Sequence, residues 1–132
     1  MKIILTESQF VNILMEQEIC DIFTTSTGEE DYDDVLNQDP GRFLRSMKGE
    51  VIQIKPEAYI AQCAKIKGTS IKEQYSDLDE SKIQKFARAM DNGEKFNLPF
   101  INYNTGHQDG RHRVMAAKLH GCNFVNIAVF TK

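Results

Sequence analysis

Tryptophan is absent from this 132-residue sequence, proline and cysteine each occur three times, and there is no surplus of positive charge. Sixteen Lys and Arg stand against nineteen Asp and Glu, a formal net charge of −3. A general nucleic-acid binder carries a basic surplus, so that role would have to rest on a local patch. Cys20, Cys63 and Cys122 are odd in number, far apart in the chain and without CxxC or Cys/His spacing. That pattern argues against a zinc site and a disulfide framework, and predicts three reduced thiols. No apolar run approaches the ~20 residues that span a bilayer. The opening MKIILTESQFVNILMEQE lacks the small-residue cleavage site of a signal peptide. The expected address is the cytoplasm, with no membrane association.

What is present suits one domain with a core of its own, at 41% hydrophobic and 27% charged residues. Residues 6–19 predict an amphipathic helix. Thr6 and Gln9 form a capping-box pattern, and Phe10, Ile13 and Leu14 follow at helical spacing. Such a helix packs on its own domain or engages a protein partner. Residues 24–39 are polar and acidic, lack the EF-hand spacing, and predict a solvated linker ending near Pro40-Gly41. RFLRSM predicts a short helical turn before Gly49. Residues 1–48 are thus expected as an N-terminal extension, and 49–132 as the main domain.

From Gly49 the periodicity predicts an α/β domain. Val51 to Ile54 is a β-branched strand, and Pro56 suits the first turn of a helix over 57–65. Asp77 and Glu80 mark a second helix, with Ile83, Phe86, Ala87 and Met90 on its apolar stripe and Gly93 at its end. Strands are expected at 98–103 and 125–130. Between them Asn104-Thr105-Gly106 turns the chain, and a helix over 111–120 is capped by Gly121.

That last helix carries the functional signal. A helix N-terminus holds unpaired N–H groups and partial positive charge, and favours Asp or Glu in its first turn. Here the first turn holds Arg111, His112 and Arg113, preceded by Gly110. Glycine, open amides and basic side chains together predict a cradle for phosphates. His107 and Gln108 adjoin it. Asp109 either caps the helix or acts beside the phosphates, holding Mg²⁺ or accepting a hydroxyl proton.

Asp109-Gly110-Arg111-His112-Arg113, with Ala116-Ala117 after it, resembles the glycine turn of the ParB/sulfiredoxin superfamily. ParB-like members read G-E-R-R-x-R-A-A there, sulfiredoxins G-C-H-R, and free serine kinases D-G-H-H-R. The preceding SKIQKFARAMDNGEKFNLPFINYN is similar to the family's helix–Gly–x–Pro–strand approach, and the resemblance covers about 80 of the 132 residues. It implies a small mixed sheet with a glycine-initiated phosphate-binding helix, and a nucleoside triphosphate or diphosphate ligand with Mg²⁺. It also implies nucleotide hydrolysis or phosphoryl transfer by Asp109, with Glu50 or Glu57 as the second carboxylate beside the first strand. Either glutamate has the alternative of facing solvent.

Departures matter as well. Arg111 stands where sulfiredoxin has its nucleophilic cysteine and ParB its acidic residue, so thiol phosphorylation chemistry is not expected. A chromosome-partitioning ParB carries a helix-turn-helix after this block, and that role is not expected here. A nucleic-acid-binding or ParB-like nuclease module, and a non-catalytic phage- or plasmid-type adaptor, stand as the alternative functions.

Overall fold

The computed structural model describes residues 20–37 and 48–131, which form five helices and one four-stranded mixed sheet. The predicted helix over 6–19 and the turn at RFLRSM lie outside the described residues. In chain order the elements are α1 (Glu30–Asn37), β1 (Lys48–Ile54), α2 (Pro56–Lys67), α3 (Ile71–Ser76), α4 (Glu80–Asp91), β2 (Phe100–Asn102), β3 (His107–Asp109), α5 (Arg111–His120) and β4 (Val125–Thr131).

Strand order is β1-β4-β2-β3. The strand nearest the C-terminus is therefore central, antiparallel to β1 and parallel to β2. A strand flanked on both sides and covered on both faces needs a nearly continuous apolar run. Ile127, Ala128, Val129 and Phe130 supply it, and all four are buried. β2 and β4 are parallel neighbours, so the chain must cross over between them, and α5 is that crossover. β3 forms a short antiparallel hairpin with β2. Asn102 pins it: its buried Oδ1 accepts the N–H groups of Asn104 and Thr105 at 2.9 and 3.2 Å.

Local signals explain the helix limits. Pro56 opens α2, and Gly68 closes it in the left-handed conformation. Ser70 accepts the Glu73 N–H and starts α3, a six-residue helix hidden in a stretch that reads as a break. α4 begins two residues later than its acidic pair suggests. Asp79 accepts the N–H groups of Ser81 and Lys82, while Asp77 closes α3.

Two expectations are overturned. The acidic stretch is not a solvated linker throughout, because Glu30–Asn37 is helical and covers one face of the sheet. Val35 is 1% exposed, and Tyr32 stacks on Phe130 at 4.5 Å and tilts against Phe100 at 4.9 Å. Asp33 anchors the entry to this helix, accepting Thr27 N–H at 2.6 Å, Thr27 Oγ1 at 2.8 Å and Ser26 Oγ at 2.9 Å.

The expectation of three reduced thiols also fails. Cys20 and Cys122 form a disulfide across 102 residues, leaving only Cys63 free. Sequence distance hid a spatial neighbour. A disulfide is the habit of oxidising compartments, so the cytoplasmic address loses the support that reduced thiols lent it. Among the described residues no helix is long and apolar enough to cross a membrane.

Replacing Asp33 by alanine removes these hydrogen bonds to a charged acceptor. Unfolding free energy should fall by about 1.5–3 kcal/mol, read by chemical denaturation. An unchanged midpoint would return the segment to the status of a linker.

Candidate functional site

The candidate site is the β3–α5 turn, and its shape is set from below. α2 places Tyr59 so that its buried hydroxyl lies 2.8 Å from the Asp109 carbonyl and 3.1 Å from that of Phe100, donating its single proton between them. Burial pushes the Tyr59 phenol well above its ordinary range, so it stays a donor. One helical turn on, the Cys63 thiol donates to Gln108 Oε1 at 3.7 Å, and burial raises it to about 11. This thiol is a packed neutral group and no nucleophile at ordinary pH.

Gly110 sits at φ +117°, a backbone conformation that side chains rarely adopt. A Cβ there would stand 2.5 Å from Pro99 Cβ and 2.9 Å from Arg113 Nη2. The glycine thus admits Pro99 and the Arg113 guanidinium against the backbone, a requirement met within the fold itself. Gly110 provides no side-chain cap, and the turn after it contains no acidic residue.

Each basic residue of that turn has a protein contact. Arg111 Nη1 donates to Gln74 Oε1 at 2.7 Å, which satisfies a glutamine side chain buried on α3. His112 Nε2 accepts the Asp79 N–H at 3.0 Å, which ties α5 to the start of α4 and requires a neutral ring. Its pKa is lowered by burial first, then by the charges of Lys82 and Arg111, against the opposing pull of Asp79 and Asp109. Arg113 is the least well served. Its side chain is 17% exposed, and Nη2 makes two 3.5 Å contacts, with Leu98 O and Asp109 Oδ2. Its buried Nε–H has no acceptor among the described residues.

His107 and Gln108 lie on β3 beside the turn; His107 is exposed with its ring 5.3 Å from that of Phe100, and Gln108 faces Cys63. Asp109 keeps a half-exposed carboxylate at the mouth of the turn. Glu50 and Glu57 do not join it. Register places Asp109, Phe100, Ala128 and Val51 in one row across the sheet, with Glu50 next to Val51. Three strand spacings of about 4.8 Å therefore put Glu50 roughly 14 Å from Asp109. Glu57 pairs with Lys118 of α5 at 2.6 Å, and that bond lowers its pKa. His120, at the far end of α5, pairs with Asp91 of α4. Sequence reasoning missed Tyr59, Cys63 and Gln74, whose spacing marks only a helix interior or a short polar stretch.

No protein-family model, curated protein or solved structure matches this chain.

Two outcomes test the turn. Gly110→Ala should destabilise the fold by about 2–5 kcal/mol, the left-handed penalty plus overpacking against Pro99, measured by denaturant unfolding. Wild-type cost-free tolerance would mean that Pro99 is free to move aside. The second outcome concerns pH. The folded His112 value lies below the ordinary 6.5, so the unfolded chain takes up the proton first. Its contribution is complete above about pH 6.5 and fades as pH falls through the folded value. Melting temperature should then drop more steeply between pH 7.5 and 5 in the wild type than in His112→Gln. Parallel profiles would remove the neutral-histidine bond.

Proposed function

We propose that this chain is a ParB/sulfiredoxin-like domain that binds the phosphates of a nucleoside triphosphate or diphosphate at the β3–α5 turn. The observation that carries this is the Arg113 guanidinium: a partly buried cation with two long contacts and a buried, orphaned Nε–H, lying against Gly110. A partly buried charge so poorly bonded is costly, and an anion at the exposed part of its fork adds acceptors. The first-turn amides of α5 lack a side-chain cap and point the same way. Arg111 directs Nη1 at Gln74, 2.7 Å from Oε1 and 3.5 Å from the carbonyl, which leaves Nη2 and Nε of its fork. Supporting the family reading is the order strand, helices, two short strands, glycine, helix, strand.

Asp109 is the carboxylate on hand. Among the described residues no three His, Cys, Asp or Glu side chains gather into a metal cluster, so Asp109 would meet Mg²⁺ through the nucleotide that carries it. Asp109 is also the group in place to accept a hydroxyl proton, should the bound phosphates react. With Glu50 and Glu57 placed elsewhere, the geometry supports binding more directly than two-carboxylate phosphoryl transfer.

The test is a thermal-shift panel of ATP, ADP, CTP and GTP with and without Mg²⁺. A nucleotide at 100 times its dissociation constant should add about 2.7 kcal/mol. Arg113→Ala should weaken the binding about 10–100-fold, as expected for lost charge-assisted bonds, while the variant remains folded. Lys118→Ala, which breaks only the Glu57 pair, should bind like the wild type. No shift with any nucleotide, or equal affinity in both variants, would end the phosphate-cradle proposal.

A further inference from the structure

The disulfide sits at one end of α5, and a continuous strap connects it to the other. Cys122 follows the α5 cap, its N–H bonded to Ala117 O at 2.9 Å. From Cys20, residues 20–27 run parallel to residues 96–98. Phe96 N–H donates to Ile22 O at 2.9 Å, Thr24 N–H to Phe96 O at 2.8 Å, and Leu98 N–H to Ser26 O at 2.6 Å. At that far end Leu98 O meets Arg113 and Pro99 fills the space beside Gly110. A ten-residue helix is about 15 Å long, so α5 is gripped at both ends by one stretch of backbone. Apart from the disulfide, the side-chain link near residue 20 is the exposed Lys95–Asp21 pair, and exposed pairs hold weakly. Ile22 and Phe23 bury their side chains and keep the strap on the core.

We propose that the Cys20–Cys122 bond is a reversible redox latch that holds this strap and thereby sets the conformation of the Gly110–Arg113 turn. Opening runs by thiol–disulfide exchange with a small thiol. Cys20 is partly exposed and Cys122 is 1% exposed, so the incoming thiolate attacks Cys20 Sγ. The S–S bond breaks and Cys122 leaves as a thiolate, which then takes a proton. A cleft of about 420 Å³, lined by Lys55, Glu57, Lys118, Asn123 and Phe124, opens beside Cys122; Glu57 offsets the Lys118 charge, and Lys55 favours that departure. A second small thiol displaces the first as a small-molecule disulfide and returns Cys20 to a thiol. Two electrons have then passed to the protein. Closure is the reverse, with the small-molecule disulfide as oxidant. Cys63 is fully buried and takes no part.

The consequence for affinity rests on the nucleotide reading above; the latch itself does not. The experiment compares the full chain, oxidised and after reduction by a phosphine, using amide hydrogen exchange and backbone NMR shifts. Reduction should speed exchange at Phe96 and Leu98 by at least about tenfold and displace the Gly110 and Arg113 signals. Cys20→Ser should reproduce the reduced pattern while leaving Cys122 in place. Changes confined to the neighbours of Cys20 and Cys122, with Leu98 and Gly110 unmoved, would overturn the latch. So would a wild-type disulfide that glutathione and its disulfide cannot open and close. ATP–Mg²⁺ titrated into both forms separates the two ideas. Signal displacement without ATP binding to either form sinks the nucleotide reading and upholds the latch, whereas equal ATP affinity in both forms removes its control of the site.

Discussion

The close approach of Pro99 to Gly110 governs the rest of this molecule. Pro99 leads into β2, Gly110 leads into α5, and their contact brings the beginning of the crossover helix against the beginning of its parallel strand. Only a residue without a Cβ, in a left-handed conformation, fits there. Once that point is fixed, the direction of α5 follows, and so does the placement of Arg111, His112 and Arg113 around its first turn. Tyr59 reinforces the same junction from α2, bridging the carbonyls on either side of it.

The charge at this helix start is handled unevenly. Arg111 and His112 are used as structural donors and acceptors toward α3 and α4, so part of the basic cluster is explained by packing. Arg113 is not explained in that way, since its contacts are long and one donor is orphaned. A fold that tolerates such a group at a solvent-adjacent turn gives up stability there. Sites of that kind are where function and local incompatibility coincide.

Much of this architecture was legible in the sequence, and for identifiable reasons. The limits of α5 were readable because Gly110 and Gly121 bracket it, and β4 because its β-branched run is nearly unbroken. α1 was hidden because its few inward residues, chiefly Tyr32 and Val35, are scattered among acidic ones that look like a solvated tract. α3 and β3 are too short to show a period. The disulfide and the separation of Glu50 from Asp109 depend on strand order, and no local pattern encodes that order. Tyr59, Cys63 and Gln74 fall in the same class: their roles arise only when α2 and α3 are laid beneath the turn.

The central position of β4 has a consequence for how the molecule comes into being. Among the described residues β1 pairs only with β4, and β2 would otherwise pair only with the three residues of β3. The earliest strand must therefore wait for the latest, across a separation of some seventy residues read from the Ile54–Val125 pairing. Contacts of such range pay their loop-closure entropy before they gain any pairing energy, which makes assembly slow. During synthesis on a ribosome the helices can condense first, but β1 lacks its β4 partner until residues 125–131 emerge. That interval is when a chaperone would find the chain most receptive.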